Sequence, residues 1–324
     1  MNFAFDTVIA IVVLASATPL SSARAQEFPV KPITIVVGVP PGGSADLLSR
    51  IAAEGLSKQL GTQVVVDNRP GANAAIATRQ VARGAADGYT LFYNATNMAS
   101  NLVGMKDPGY KWSDFESVGG IAYAPFVMVV NTASSKARTL KEFVDYGRSN
   151  PGKLTYGSLG PGSATMLVAE RFNLLSGLGY REVPYKGGAQ ALTDVVGGTV
   201  DVYFPLSNAA STAIGQPRVT ILAVAGDKRS DQLPDVPTFA ELGYPGMKDI
   251  NLGGLWAAAA TPKPILEKLR KALADALKHP DTAAALKRAG QAPYEGNSAQ
   301  FDKDMRALEV IAREDYKRFK LEPQ

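Results

Sequence analysis

The chain of 324 residues contains no cysteine and a single histidine, His279. Disulfide bonds and thiolate zinc sites are therefore excluded, and so are metal sites that need several imidazole ligands. A chain of this length takes its stability from hydrophobic burial, and it is long enough for two domains with full cores. We expect no bound metal.

The sequence also lacks the patterns that mark nucleotide and nucleic-acid binding. No phosphate-binding Gly-x-x-x-x-Gly-Lys-Ser/Thr run occurs, and residues 157–162 match a dinucleotide fingerprint only loosely because Pro161 interrupts them. The net charge is +4, and Lys and Arg alternate with Asp and Glu without forming a basic run. We therefore expect no cofactor and no nucleic-acid partner.

No apolar stretch is long enough to cross a bilayer as a stable helix. The N-terminal one, residues 7–20, is too short and is followed by Ala23-Arg24-Ala25, a small-x-small cleavage pattern. We predict that residues 1–25 are a signal peptide and that the mature protein is periplasmic. Residues 1–6 carry no Lys or Arg, which signal peptides usually have, so an uncleaved anchor stays the alternative.

The most informative stretch is residues 33–46, where five β-branched residues precede a Pro-Pro-Gly-Gly turn and a helix start. The apolar run predicts a buried strand of a parallel sheet, and Ser44 and Asp46 suit the N-cap and first turn of the helix. The amide groups and the positive dipole end of such a helix form a ready site for an anion. The alternative is a plain strand–turn–helix connection without a ligand.

Two further strand-like segments, residues 63–67 and 89–93, follow with a helical segment between them. This alternation predicts a doubly wound α/β domain. Ligands of such sheets bind outside the carboxyl ends of the strands. The Pro-Pro-Gly-Gly loop should therefore share one edge with the polar residues that end the third strand, Asn94, Thr96 and Asn97.

The second half of the chain repeats the pattern with a strand at 153–157, a glycine-rich loop at 158–163 and a helix from Ala164. Two such loops, one in each lobe, can clamp a ligand between opposed helix N-termini. An apolar segment at 255–260 and three C-terminal helices return to the first lobe. We predict two α/β lobes with a ligand cleft between them: residues 26–128 and 251–324 form the first, and 129–250 the second.

A hydrolase or transferase on the same fold is the main alternative, because Ser44 and Ser163 lie in glycine-rich loops. A nucleophile elbow needs Gly-x-Ser-x-Gly, and Asp46 stands at the last position of that pattern. His279, the sole candidate base, lies near the predicted C-terminal helices and outside either loop. We therefore predict a binding protein rather than an enzyme, and a ligand sensor without a transport role is the third hypothesis.

Seven short motifs occur in a fixed order over essentially the whole mature chain. They are Pro29-Val30-Lys31-Pro32-Ile33-Thr34, Pro40-Pro41-Gly42-Gly43-Ser44-Ala45-Asp46, Val64-Val65-Val66-Asp67-Asn68-Arg69-Pro70-Gly71-Ala72, Ala86-Asp87-Gly88-Tyr89-Thr90-Leu91, Tyr156-Gly157-Ser158 with Gly162-Ser163, Val183-Pro184-Tyr185-Lys186-Gly187 and Leu233-Pro234-Asp235-Val236-Pro237-Thr238. With them the chain resembles the Bug family, the extracytoplasmic solute receptors of tripartite tricarboxylate transporters.

The resemblance implies a type II periplasmic binding protein fold whose lobes close on a small carboxylate and deliver it to membrane permease subunits. It also implies that one carboxylate is held between the two loops, partly through bridging waters. The residues that match the family's loops are Pro41, Gly42, Gly43, Ser44 and Asp46 in the first lobe, and Ser158, Gly160, Gly162, Ser163 and Thr165 in the second. We expect a monomer.

Two departures from the family pattern concern the far end of the ligand. This chain has Met166 where members often have His, and Pro205 where they often have Asp. The loss of both polar groups suggests a less polar distal pocket, suited to a monocarboxylate such as an aromatic acid, or to an apolar dicarboxylate rather than citrate. The alternative is that Met166 belongs to the helix core.

Overall fold

The computed structural model describes residues 28–210 and 213–323, and these residues form two β-sheets with helices on both faces of each. The predicted signal peptide, residues 1–25, lies outside the described residues. The predicted α/β architecture with two lobes is confirmed.

The strands are β1 (Ile33–Val37), β2 (Val64–Asn68), β3 (Thr90–Asn94), β4 (Phe115–Pro125), β5 (Val127–Asn131), β6 (Thr155–Ser158), β7 (Arg181–Pro184), β8 (Val202–Tyr203), β9 (Val219–Val224), β10 (Ile250–Ala258) and β11 (Ala292–Pro293). The helices are α1 (Ser44–Leu60), α2 (Ala75–Ala82), α3 (Asn97–Gly104), α4 (Thr132–Ser135), α5 (Leu140–Ser149), α6 (Ala164–Ser176), α7 (Gly188–Gly197), α8 (Ser207–Ala210), α9 (Lys263–Lys278), α10 (Pro280–Arg288) and α11 (Ser298–Phe319).

The first lobe is built on a six-stranded sheet with the order β11-β4-β10-β3-β1-β2. β1 lies between β2 and β3 and runs parallel to both, with Ile35 opposite Val66 and Leu91. Four of its five residues are buried, because α1 covers one face of the sheet and α2 and α3 lie on the other. The predicted buried parallel strand is therefore confirmed.

The second lobe is built on a five-stranded sheet with the order β7-β6-β8-β5-β9. β6 runs parallel to its neighbours β7 and β8, so the carboxyl ends of these strands lie at one edge. The spacing of Thr139 and Glu142 predicts a capping box, and the two residues form it at the start of α5.

The chain passes between the lobes twice, and the two passages lie side by side. β4 ends at Pro125 in the first sheet and β5 begins at Val127 in the second. The N–H of Phe126 donates to the carbonyl of Asp249, 3.3 Å away, just before β10 re-enters the first sheet. The division into 26–128, 129–250 and 251–324 stays a prediction.

The lobes also touch away from this double connection. Arg171 of α6 forms ion pairs with Asp249 in the connection and with Asp315 of α11, and all three side chains are nearly buried. A group of apolar residues that we call the interlobe cluster packs beside them; it consists of Val103, Met166, Leu167, Ala312 and Tyr316. Because α11 packs on α3 and β4 of the first lobe, these contacts join α6 of the second lobe to the first.

None of the helices in the described part of the chain combines the length and the hydrophobicity that a membrane span requires.

The buried Arg171 generates a prediction about stability. Arg171→Met should lower the free energy of unfolding by about 3–5 kcal/mol at pH 7, because it leaves two buried carboxylates without a cation. Burial raises the pKa of both Asp249 and Asp315 against the opposing effect of Arg171. Groups with a raised pKa favour the folded state in their protonated form, so the deficit should shrink as the pH falls.

Urea denaturation between neutral and acid pH measures this deficit. Lys141→Met, which removes the exposed partner of Asp145 on α5, is the control and should leave the midpoint nearly unchanged. An Arg171→Met protein as stable as the wild type would show that the buried ion pairs do not stabilise the fold.

Candidate ligand-binding site

The loop after β1 leaves the first turn of α1 without a side-chain cap. Gly43, not Ser44, is the N-cap residue, so the prediction for Ser44 is wrong. Ser44 is already in the helix, and its Oγ instead accepts hydrogen bonds from Asn208 (3.3 Å) and Gln291 (3.2 Å). Among the described residues, no acceptor meets the N–H groups of residues 43–46. These amides point out of the positive end of a 17-residue helix, which suits an anion.

Asp46 gives the first loop its shape. Its carboxylate, 4% exposed, accepts from the Gly42 amide (3.0 Å), from Asn68 (2.9 Å) and from Arg50 (2.9 and 3.1 Å). Burial by itself raises the pKa of Asp46, but these hydrogen bonds hold it below its ordinary value of 3.8. The structure therefore places this predicted ligand residue against protein donors on all sides, and it neutralises Arg50.

The glycines of the first loop keep the backbone accessible. Gly42 has a φ of +92°, a conformation that side chains rarely adopt. Gly43 has an ordinary φ of −81°, and no atom lies within 4 Å of the position that a β-carbon would take there. Pro41, Gly42 and Gly43 are all exposed, so a ligand can approach this backbone closely.

The loop after β6 has the same construction. Ser163 caps α6 by accepting from the N–H of Met166 (3.2 Å), and Thr165 Oγ1 accepts from Leu159 (2.9 Å). Ser158 donates to Glu182 and accepts from Gly160 (2.8 Å). These three predicted ligand side chains are buried and hold the loop from inside, with Gly160 and Gly162 at positive φ.

The amides of this second loop are less completely paired than its side chains. Within the described residues, the N–H groups of Gly162, Ala164 and Thr165 have no acceptor. Both loops therefore use their polar side chains to fix the backbone, and both leave a group of helix N-terminal amides open.

The third predicted set of residues forms hydrogen bonds within the first lobe. Asn94 is the last residue of β3 rather than part of a loop; its Oδ1 accepts from Ala95 and its Nδ2 donates to Thr78. Thr96 Oγ1 accepts from the N–H of Leu252 (3.1 Å) in β10. Asn97 begins α3 and donates to Asn73 (2.8 Å).

Three consecutive residues with positive φ, which the sequence does not predict, lie between β2 and α2. Ala72, Asn73 and Ala74 have φ values of 47°, 50° and 70°. Asn73 is held in this strained shape by Asn97 and by Asn101, whose Nδ2 donates to the Asn73 carbonyl (2.9 Å). A β-carbon at Gly38 would overlap Ala74, so glycine at the end of β1 lets this turn pack against the sheet.

The two loops open towards the same boundary between the lobes. Asn208, which follows β8, reaches Ser44 at the start of α1. On the other side, a β-carbon at Gly104 would lie only 2.9 Å from Gly162 Cα, so these two backbones touch. β1 and β3 are parallel neighbours, as are β6 and β8, so each loop lies at the carboxyl edge of its own sheet, and the two contacts bring these edges to the same boundary.

Neither Asn208 nor Gln291 belongs to a sequence motif, and only the folded chain brings them to Ser44.

Met166 packs in the interlobe cluster, so its residue type does not indicate the polarity of the pocket. Groups of three or more metal-ligating side chains do not occur among residues 28–210 and 213–323.

Comparison with known proteins identifies relatives of this chain. A family model described as the tripartite tricarboxylate transporter family receptor matches residues 48–315. The structure of the periplasmic binding protein BugD is 30% identical with a TM-score of 0.82, and the match covers 92% of this chain and 100% of BugD.

Two similar structures contain dicarboxylates. An R. palustris protein with adipate is 29% identical with a TM-score of 0.85, over 92% of this chain and 100% of that chain. MatC from Rhodopseudomonas palustris with bound malate is 27% identical with a TM-score of 0.80, over 89% of this chain and 99% of MatC.

The position of Asp46 generates a pH-dependent prediction. Asp46→Asn should lower the free energy of unfolding by about 1–3 kcal/mol at pH 7, because an amide cannot accept from all of these donors. The folded-state pKa of Asp46 is lowered, so its contribution is present above the ordinary value of 3.8 and is lost as the pH falls. Urea denaturation at several pH values should show the difference shrinking as the pH falls below 3.8.

Asp145→Asn, on the exposed face of α5, is the matched control and should change stability little at any pH. A deficit in Asp46→Asn that stays constant from neutral to acid pH would contradict the role assigned to this carboxylate.

Proposed function

This chain belongs to the family of tripartite tricarboxylate transporter receptors, and we propose that it captures a small dicarboxylate in the periplasm and delivers it to the permease subunits of such a transporter. The observation that carries the proposal is the pair of open helix N-termini, α1 in the first lobe and α6 in the second, each of which lies against the other lobe. Their amides suit one carboxylate of the ligand.

The ligand class is supported by the two similar structures that hold adipate and malate. We propose a dicarboxylate in preference to the aromatic monocarboxylate. The sequence predicts an apolar distal pocket from two residues, Met166 and Pro205, and Met166 packs in the interlobe cluster instead. Pro205 is buried, and its carbonyl accepts from the N–H of Val127 in the second sheet.

Backbone amides can supply the required affinity. A hydrogen bond from an amide to a carboxylate is charge-assisted and contributes about 1.5–3 kcal/mol. Three or four such bonds, less the cost of ordering the lobes, correspond to a dissociation constant of about 1 μM or below. The ligand stabilises the closed lobes only by the difference between its affinities for the closed and open forms.

The protein is a solute-binding protein and not an enzyme. The geometry agrees, because no base among the described residues pairs with Ser44 or Ser163, the two candidate nucleophiles. Ser163 Oγ caps α6, and Ser44 Oγ accepts from two amide side chains. His279, the single histidine, accepts from the N–H of Asp281 at the start of α10 (3.3 Å).

A ligand screen on the chain without residues 1–25 tests this proposal. Succinate, malate, adipate, citrate, hexanoate and benzoate are compared by thermal shift and then by calorimetry. A dicarboxylate should bind most tightly, and at 100 times its dissociation constant it should add about 2.7 kcal/mol to the free energy of unfolding. A folded protein that binds none of these acids would contradict the proposal. Uptake of the labelled ligand by host cells with and without this receptor tests delivery to a permease.

Gly43→Val tests the first loop directly. The backbone at Gly43 accepts a side chain without strain, so the variant should fold normally while its branched side chain blocks approach to the amides. We expect binding at least about tenfold weaker, a loss of about 1.4 kcal/mol, by calorimetry.

The matched control is Gly197→Val. Gly197 also has free space around the β-carbon position, and it lies at the end of α7, before the chain enters β8 on the side away from the cleft. Equal affinity of Gly43→Val and wild type would remove the first loop from the site.

A further inference from the structure

Two buried hydroxyl groups lie at the cleft edges of the two sheets without a hydrogen-bond partner. They are Tyr93 Oη in the first lobe and Ser207 Oγ in the second, in residues that are 2% and 1% exposed. Neither oxygen forms a hydrogen bond with any of the described residues. A buried hydroxyl that finds no partner destabilises the protein, so a native structure that keeps two of them at one boundary calls for an explanation.

Tyr93 is directed towards the carboxyl edge of the first sheet. It lies in β3 opposite Leu255 of the antiparallel strand β10. Its ring tip reaches Gly253, two residues closer to the cleft along β10, where any side chain would overlap the phenol. Tyr93 also belongs to the apolar cluster on the face that α1 covers, so its hydroxyl is on the side of the first loop.

Ser207 lies at the matching place in the second lobe. It begins α8 just after β8, and the preceding Leu206 pairs with Phe126 in the connection between the lobes. The following Asn208 donates to Ser44 at the start of α1. Ser207 is therefore placed between the floor of the cleft and the first turn of α1.

We propose that the hydroxyls of Tyr93 and Ser207 bind the second carboxylate of the ligand at the floor of the cleft, while the helix N-terminal amides bind the first. This inference rests on the proposed function and names the residues that distinguish a dicarboxylate from a monocarboxylate. Both groups are neutral hydroxyl donors, and the oxygens of a carboxylate can accept a hydrogen bond from each of them. Burial keeps the pKa of Tyr93 well above its usual range, so the phenol stays a donor at any physiological pH.

The substitutions Tyr93→Phe and Ser207→Ala remove one hydroxyl each and nothing else of consequence. Calorimetry compares adipate with hexanoate, which has the same chain length and only one carboxylate. Each variant should bind adipate about tenfold more weakly than the wild type does, with little change for hexanoate. The ligand-free variants should melt at the same temperature as the wild type or above it, because an unpartnered buried hydroxyl has been removed.

Two controls remove buried hydroxyls that do have partners. Tyr110 Oη donates to the carbonyl of Met98 (3.0 Å), and Ser176 Oγ donates to the carbonyl of Phe172. Tyr110→Phe and Ser176→Ala should lower the melting temperature and leave the affinity for adipate unchanged. The assignment is supported if Tyr93→Phe and Ser207→Ala lose affinity for adipate but not stability, while Tyr110→Phe and Ser176→Ala lose stability but not affinity.

Three results would overturn it. Tyr93→Phe and Ser207→Ala proteins that melt lower and bind adipate normally would show that internal water, not ligand, pairs with the hydroxyls. A wild type that binds hexanoate as tightly as adipate would exclude a second carboxylate site. If the wild type binds dicarboxylates and the variants bind them equally well, only this inference fails; if the wild type binds no carboxylate, the proposed function fails with it.

Discussion

The site depends on one constraint, which is that the first amides of an α-helix have no partner within the helix itself. In α1 no side chain caps these amides, and in α6 the cap Ser163 satisfies only one of them. Both loops contain several polar side chains, but most of these form hydrogen bonds with other protein groups rather than with the first amides of the helices. Asp46 holds the first loop to Arg50 and Asn68, and Ser158 and Thr165 hold the second. The polar side chains of the loops therefore keep the backbone donors fixed in position and free of protein acceptors.

In the proposed site neither lobe is sufficient alone. Each lobe offers one group of amides, and the contacts Asn208–Ser44 and Gly104–Gly162 bring the two groups to a common boundary. Arg171 and the interlobe cluster hold α6 close to α11 on one side of that boundary. If an anion binds between the two groups as proposed, it stabilises the closed arrangement by the difference between its affinities for the closed and open forms.

Much of this arrangement could be predicted from the sequence, because it follows from local pattern. The β-branched run of β1, the Pro-Pro-Gly-Gly turn and the capping box at Thr139 each depend on neighbours a few residues away, and all three are confirmed. What local pattern cannot show is which atoms the tertiary structure occupies. Ser44 has the residue type of an N-cap, yet Gln291, far along the chain, reaches its hydroxyl. Asn94 and Thr96 are polar at a strand end, yet they are taken by Thr78 and β10.

The polarity of the pocket floor illustrates the same limit. Residue types at Met166 and Pro205 favour an apolar floor, but Met166 packs between α6 and α11 and takes no part in it. Tyr93 has the residue type of a core aromatic, and its ring is indeed in the core. Only its position opposite Leu255, with Gly253 beneath the phenol, turns its hydroxyl towards the cleft. The proposed preference of this protein for a dicarboxylate therefore rests on hydroxyls left without partners after folding, a property of the tertiary structure that no residue shows alone.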